Sequence, residues 1–196
     1  DTIGYAESAR IALEGGCCWI QLRMKDASDE EVEAVARQVQ AMCHDFGAYF
    51  VLDDRVELVK RLHADGVHLG KLDMPVDEAR AYLGPEFIIG GTANTFDDIQ
   101  RLHRAGADYI GCGPFRYTTT KKNLAPILGL EGYRRLLSQM EEHESNLPIV
   151  GSGGIGADDI ADLKATGLNG IALSGSILRA SDPVEEMKRI IELTQK

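Results

Sequence analysis

The sequence predicts an α/β fold of the (β/α)8 TIM barrel class, in which parallel strands alternate with helices. Short apolar runs separated by amphipathic segments recur along the 196 residues, as is typical of strands covered on both faces. Polar residues follow nearly every run. This favours a barrel over a doubly wound sheet, because a doubly wound sheet gathers its site at one switch point. We expect a single barrel domain over residues 1–196.

Seven strands are predicted from the apolar runs, at residues 18–22, 49–52, 66–69, 87–89, 108–111, 148–151 and 170–174. Residues 1–14 instead have helical spacing, with Tyr5, Ala9, Ala12 and Leu13 on the buried face. A βα repeat that begins inside a helix lacks a strand, so we expect strand one of the barrel to precede Asp1 and to be missing from this chain.

Three further helices have recognisable start signals. These are the pairs Ser28 with Glu31, Thr95 with Asp98, and Asp182 with Pro183. Each pair stands directly before a run of apolar residues at helical spacing, so we expect a helix to begin at each.

Composition and charge exclude several classes of function. The chain has 31 acidic and 21 basic residues, a net charge of −10, which argues against nucleic acid and anionic membranes as partners. No apolar run approaches the roughly 20 residues that span a bilayer. The four cysteines show no CxxC spacing and lie in apolar segments, where buried free thiols are common. Free thiols persist in a reducing compartment, so we expect a cytoplasmic protein. The oligomeric state is left open, and a homo-oligomer is among the alternatives.

The segment 113–130 is basic in an acidic chain. It has no acidic residue, and three threonines, 118–120, precede Lys121 and Lys122. Hydroxyl and ammonium groups suit a phosphorylated ligand, because each oxyanion needs several donors. We therefore expect residues 115–125 to form a lid over such a ligand.

Charged residues follow the first three predicted strands. Gln21, Arg23 and Lys25 are at alternate positions, so they lie on one face of the strand if the strand extends that far. No acid lies between residues 15 and 25 to pair with the two cations, which favours a phosphate site. Asp54 and Asp73 follow neighbouring strands, and two converging carboxylates beside a phosphate suit Mg²⁺. The alternative is that each aspartate caps the helix that follows it.

Glycine-rich turns follow three later strands. Gly90, Gly91 and Thr92 would let the backbone approach a ligand, and 151–155 and 174–176 occupy the places where many barrels bind phosphate. His68 lies within a strand and is expected to be a packed or hydrogen-bonded residue. Two anionic subsites at one rim fit the joining or rearrangement of two phosphorylated molecules.

Taken in order, these motifs resemble the thiamine-phosphate synthase (thiamine-phosphate pyrophosphorylase) family over nearly the whole chain. The matching segments are 21–25, 53–55, 66–70 with Asp73, 109–114 with 118–121, 153–155 and 170–172. Members of this family are (β/α)8 barrels that couple a pyrimidine methyl pyrophosphate to a thiazole phosphate with Mg²⁺, through a pyrimidine carbocation, and release pyrophosphate.

The resemblance implies a role for each candidate residue. Asp54 and Asp73 would hold Mg²⁺, and Arg23, Lys25 and Lys121 would neutralise the leaving pyrophosphate. The substrate-binding set would be Gln21, Asp53, Lys71, Thr92, Thr118, Thr120, Gly153, Gly154, Ser174, Gly175 and Ser176, of which Gly154 and 174–176 would take the thiazole phosphate.

Some positions depart from the family pattern. The family usually has Asn at Asp53, Gln at Lys71, Ser at Thr92, often His at Asn94, and Ser at Gly175. The changes at Asp53 and Lys71 have opposite sign, so we expect these two residues to be a coupled pair.

Two other functions stay open. A thiazole tautomerase shares the barrel, but resembles this chain less around 118–121 and in the paired aspartates. A non-catalytic binder of thiamine phosphates has little need of a metal pair.

Overall fold

The computed structural model describes residues 3–117 and 126–196. Its seven strands are β1 (Trp19–Leu22), β2 (Tyr49–Asp53), β3 (Gly66–Leu69), β4 (Ile88–Ala93), β5 (Tyr109–Cys112), β6 (Ile149–Gly151) and β7 (Gly170–Ile171). Each strand pairs in parallel with its neighbours along the chain, in the order β1 to β7. This is the strand order of a (β/α)8 barrel, so the predicted fold class is confirmed. The strand expected before Asp1 stays a prediction.

Helices follow the strands and cover the outside of the sheet. They are α1 (Tyr5–Glu14), α2 (Asp29–Phe46), α3 (Val56–Leu62), α4 (Val76–Leu83), α5 (Phe96–Ala105), α6 (Gly129–Glu142), α7 (Ile160–Ala165), α8 (Gly175–Leu178) and α9 (Pro183–Gln195), with a short 3₁₀ helix at Ala157–Asp159.

The three predicted start signals are confirmed. Ser28 and Glu31 form a reciprocal capping box, and Thr95 and Asp182 each accept a hydrogen bond from the backbone N–H three residues later. Each helix therefore begins where the side chain satisfies a backbone donor that the helix itself leaves unpaired.

Helix α1 buries a different face from the predicted one. Ala9 and Leu13 are buried as expected, but Tyr5 is 51% exposed and Ile11 is buried in its place. The reason is that α1 contacts both α2 and α9, so its buried surface is wider than a single stripe. Ile11 packs with Met187 and Ile190 of α9 in a small apolar cluster beside the main core.

Within the barrel, an aromatic group fills the end near the strand starts. Trp19 lies edge-on to Tyr109 with ring centroids 5.4 Å apart, and Tyr49 lies 5.6 Å from Trp19. The opposite, carboxyl-terminal ends of the strands carry the polar residues, as barrels generally do. No helix in the described ranges is long and apolar enough to cross a membrane.

Candidate active site

Two carboxylates meet where β2 and β3 end. Asp54 and Asp73 share a side-chain hydrogen bond, and Asp73 Oδ2 also accepts from the backbone N–H of Gly70 at 2.7 Å. Burial, then the hydrogen bond and charge of Asp73, raises the pKa of Asp54 to about 6. Burial also acts to raise the pKa of Asp73, but the hydrogen bonds from Asp54 and Gly70 outweigh it and lower that pKa. The two carboxyl groups therefore titrate as a pair, with the pKa of Asp54 above and that of Asp73 below the ordinary value.

Neither aspartate caps a helix, so that alternative is wrong. The residues at the cap positions of α3 and α4 are Arg55 and Pro75, and neither makes a side-chain capping bond. Asp54 has a φ of 69°, a left-handed conformation that costs a non-glycine residue about 1–3 kcal/mol. The chain holds Asp54 in this conformation with its carboxyl group against Asp73.

Two cations from the loop after β1 lie close to the pair. Burial is the largest influence on both aspartates and acts to raise each pKa. The charge of Lys25 acts to lower both pKa values, and the charge of Arg23 acts to lower that of Asp54. Gln21 is exposed on β1, two residues before Arg23. The four charged residues predicted to form one subsite therefore lie together, and their role stays a prediction.

A hydrogen-bonded group lies deeper in the barrel. His68 bonds through Nδ1 to the Tyr109 hydroxyl at 2.9 Å and through Nε2 to the Thr92 hydroxyl at 3.0 Å, as expected for a packed histidine. Asp53 is buried and lies opposite His68 in the β2–β3 register. Burial, followed by the charge of Asp53, raises the pKa of Tyr109. Thr92 and Asp53 are thus part of the barrel interior below the aspartate pair.

The glycines of β4 make room for side chains. A Cβ on Gly90 would lie 2.5 Å from the Tyr109 hydroxyl oxygen, and one on Gly91 would lie 2.8 Å from Leu102. The expectation that this segment is a turn that lets backbone approach a ligand is therefore corrected: both residues lie within a strand, and each accommodates a packed neighbour.

Lys71 pairs with Asp98, which the sequence analysis named only as part of a helix start signal. Its ammonium group lies 2.8 Å from Asp98 Oδ2, and Asp98 also accepts from Arg101 and from the backbone N–H of Asn94, each at 3.0 Å. These bonds outweigh the effect of burial and lower the pKa of Asp98 to about 2. The expected pairing of Lys71 with Asp53 is replaced by a bridge from the β3 loop to α5. A cavity of about 340 Å³ adjoins this bridge and Asp73.

The glycine loop after β6 packs against the loop after β5. Gly153 and Gly154 have φ of 96° and 69°, and a Cβ on Gly153 would lie 2.9 Å from Pro114. Arg116 donates to the Gly154 carbonyl at 2.9 Å and makes a two-pronged ion pair with Asp159 at 2.8 Å. Within the described residues, the backbone N–H groups of Gly153 and Gly154 donate to no backbone carbonyl.

The third polar segment, 174–176, forms the start of α8: Ser174 stands directly before the helix, and Gly175 and Ser176 are its first two residues. The Ser176 hydroxyl oxygen is buried and has no hydrogen-bond partner among the described residues. The remaining predicted residues, Thr118, Thr120 and Lys121, and most of the predicted lid, lie outside the described residues.

Sequence reasoning assigned no site role to Asp98, named only in a helix start signal, or to Arg55, named only within a matching segment, although both support the rim. Arg55 donates to the carbonyls of Met24 at 3.2 Å and Ala27 at 2.8 Å and pairs with Asp29. It therefore fixes the turn that carries Lys25. The only signal in the sequence was its place directly after Asp54.

Known proteins resemble this chain over nearly its whole length. The family model described as thiamine monophosphate synthase matches residues 3–177. A thiamine-phosphate synthase of Phocaeicola vulgatus is 66% identical over 193 residues, which are 98% of this chain and 93% of that protein. One of Desulfitobacterium hafniense is 36% identical over 186 residues, or 95% of this chain and 87% of its own.

Among solved structures, thiamine phosphate pyrophosphorylase from Pyrococcus furiosus superposes with a TM-score of 0.87 at 31% identity. The match covers 98% of this chain and 90% of that one. Because the family model, the close relatives and this structure all match nearly end to end, the chain belongs to the thiamine monophosphate synthase family.

Proposed function

We propose that the chain couples 4-amino-2-methyl-5-hydroxymethylpyrimidine pyrophosphate to 4-methyl-5-hydroxyethylthiazole phosphate, giving thiamine phosphate and pyrophosphate. The bond between the pyrimidine methylene carbon and the pyrophosphate oxygen breaks, and its electron pair leaves with pyrophosphate. The thiazole ring nitrogen then donates its lone pair to that carbon, and a C–N bond forms. The reaction is a group transfer, and it requires no proton from the protein.

The observation that carries this proposal is the grouping of Arg23 and Lys25 with the aspartate pair. A departing pyrophosphate gains negative charge, and fixed cations stabilise that charge most where they are already in place. Arg55 holds the turn of Lys25 through two backbone carbonyls. The site therefore has the fixed positive charge that this bond cleavage needs.

The aspartate pair fits Mg²⁺. Two carboxylates in contact repel each other when both are ionised. This repulsion adds to the effects of burial and of the hydrogen bond from Asp73 in raising the pKa of Asp54. A divalent cation removes this repulsion, and Mg²⁺ usually takes one or two carboxylates and completes its shell with phosphate oxygens and water. Asp54 and Asp73 would hold the ion, which supplies positive charge to the pyrophosphate. In the described part of the chain no group of three or more acidic, His or Cys side chains could hold a metal, in keeping with a substrate-completed shell.

The thiazole phosphate is assigned to the opposite side of the rim. The backbone N–H groups of Gly153 and Gly154 and the loop 174–176 would bind it, as phosphate loops of barrels do. Thr118, Thr120 and Lys121 are assigned to thiazole and pyrophosphate by the family resemblance. Gln21, Asp53, Thr92 and Lys71 are the remaining substrate-binding candidates.

The decisive experiment incubates the purified chain with both substrates and Mg²⁺, and measures thiamine phosphate and pyrophosphate. We expect both products in equal amounts and none when EDTA replaces Mg²⁺. A folded protein that isomerises the thiazole without coupling it would be a tautomerase. One that binds thiamine phosphate without turnover would be a binding protein. Either result would overturn the proposal.

A further inference from the structure

Gly175 stands where the family usually has serine, and the structure shows what occupies the space. A Cβ built on Gly175 would lie 2.7 Å from the guanidinium carbon and from one Nη nitrogen of Arg179. No side chain fits there while Arg179 keeps this position. The two residues lie one turn apart in the helical segment that begins after Ser174, where side chains four positions apart are neighbours.

The Arg179 guanidinium is exposed and forms no hydrogen bond or ion pair with any residue in the ranges 3–117 and 126–196. By contrast, Arg116, the other arginine at this side of the rim, is held by Asp159 and the Gly154 carbonyl. Ser176, three positions before Arg179 in the sequence, has a buried hydroxyl that lacks a partner among the same residues.

We propose that Arg179 binds the phosphate group of the thiazole substrate, in place of the hydroxyl that Gly175 lacks. This inference rests on the proposed function, because it names a further ligand of the same phosphate. A guanidinium presents a planar fork of donors that matches two phosphate oxygens, and its charge strengthens each bond. Gly175 and Arg179 therefore act together, because the missing side chain at 175 leaves the space that the Arg179 guanidinium occupies.

The first test compares Arg179→Gln with Arg104→Gln, which removes an exposed arginine from α5, away from the phosphate loops. Losing a charge-assisted hydrogen bond should raise KM for thiazole phosphate about tenfold or more. KM for the pyrimidine pyrophosphate should change less than twofold. The control should leave both KM values as they are. Equal KM values for thiazole phosphate in the two variants would overturn the proposal.

The second test places serine at 175. Gly175→Ser alone should raise KM for thiazole phosphate, because the new Cβ displaces the guanidinium. Gly175→Ser combined with Arg179→Gln should bind the substrate better than either single variant, because the serine hydroxyl then faces the phosphate without a clash. Additive losses in the double variant would show that the two residues do not share one role.

Binding measurements separate this inference from the proposed function. Calorimetry with inorganic phosphate, and with the thiazole alcohol that lacks the phosphate, needs no turnover. Arg179→Gln should weaken the binding of phosphate and leave that of the alcohol unchanged. If the original chain makes no thiamine phosphate but shows this difference, the proposed function fails and the phosphate site stands. If it makes thiamine phosphate and the difference is absent, the inference alone fails.

Discussion

At the scale of single residues, Asp54 shows how the chain accepts local strain in return for a site. Its backbone is left-handed, and its carboxyl group lies against another carboxyl group with a pKa of about 6. Neither feature stabilises the metal-free fold. The cation that we propose for this site would offset the electrostatic cost, which should therefore be visible when no cation is bound.

We expect Asp54→Asn to change how stability depends on pH in EDTA. The pKa of Asp54 is raised to about 6 from an ordinary value of 3.8. Between these values the native state binds more protons than the unfolded chain, so stability falls as the pH rises through this window. Asparagine does not titrate, so the variant should have a higher Tm than the original chain at pH 7 and a similar one at pH 4.

Thermal unfolding followed by circular dichroism from pH 4 to pH 8 measures this difference. Asp26→Asn, which changes an exposed aspartate of the β1 loop, is the matched control. Its Tm should depend on pH in the same way as that of the original chain. If the Tm of Asp54→Asn showed the same pH dependence as well, the pKa of Asp54 would not be raised as described.

Lys71 leads to a second prediction at this scale. Its partner is Asp98 at 2.8 Å, with side chains 42% and 15% exposed. A double-mutant cycle of Lys71→Gln with Asp98→Asn should give a coupling of about 0.5–1 kcal/mol in urea unfolding, the range of a partly exposed pair. The same cycle with Asp53→Asn should be additive. A larger coupling to Asp53 than to Asp98 would restore the pairing expected from the sequence.

Which residues carry charge at the rim could be predicted from the sequence, because polar residues directly after strands mark the barrel mouth. The side chains that fix these charged residues in place could not be predicted. Asp98 lies 27 positions after Lys71, and Arg55 lies about 30 positions after the carbonyls it binds. Such contacts depend on how far each loop reaches across its neighbour, and hydrophobic periodicity has no information on that distance.

At the scale of elements, five of the seven strands were predicted to within two residues. The two exceptions are β7, predicted to end at residue 174 but ending at Ile171, and β4, for which the structure shows the reason. The predicted strand stopped at residue 89, since consecutive glycines are typical of turns. In the structure β4 continues to Ala93, because Gly90 and Gly91 leave space for the Tyr109 ring and Leu102. A glycine that admits a neighbour's side chain has the same sequence signal as a glycine that ends a strand.

Gly70 offers a test of how an element positions a functional side chain. A Cβ at this position would lie 2.9 Å from Asp73 Oδ2 and touch nothing else closely. Gly70→Ala should therefore displace the Asp73 carboxylate from the Gly70 amide and from Asp54, and lower Mg²⁺-dependent turnover at least tenfold. Stability should change by less than about 1 kcal/mol, because the displaced group is a single side-chain end.

Steady-state kinetics over a range of Mg²⁺ concentrations and urea unfolding measure the two effects separately. Gly4→Ala is the control, since no atom lies within 4 Å of a Cβ there. Gly70→Ala with normal turnover, or with turnover lost only because the protein unfolds, would contradict this account of Asp73.

At the scale of the whole molecule, side chains tie neighbouring loops together around the barrel mouth. Arg55 connects the β1 and β2 loops, and Lys71 connects the β3 loop to Asp98 at the start of α5. Asn94 donates to the Gly113 carbonyl at 2.5 Å, between the β4 and β5 loops, and Arg116 pairs with Asp159 in the 3₁₀ helix after β6. Between the β2 and β3 loops the described contact is that of two carboxyl groups, Asp54 and Asp73. A bound cation would strengthen this contact when both groups are ionised.

This arrangement predicts where ligand binding stabilises the fold. Mg²⁺ with inorganic pyrophosphate should slow backbone amide exchange most in the β2 and β3 loops, at residues 53–56 and 70–74, because the ion would bridge the two carboxyl groups that meet there. The glycine loop at 152–156 is already held by Arg116, so its exchange should slow less. Hydrogen–deuterium exchange read by mass spectrometry measures both segments in one sample.

Asp54→Asn and Asp26→Asn complete this experiment. In Asp54→Asn the protection of 53–56 and 70–74 should be lost, since a neutral amide no longer supplies the second carboxylate that the ion needs. Asp26→Asn should keep that protection, because its side chain is exposed and takes no part in the aspartate pair. Protection spread evenly over all loops, or unchanged by Asp54→Asn, would mean that Mg²⁺ and pyrophosphate bind without joining β2 to β3. The contact between Asp54 and Asp73 would then be a feature of the metal-free fold alone.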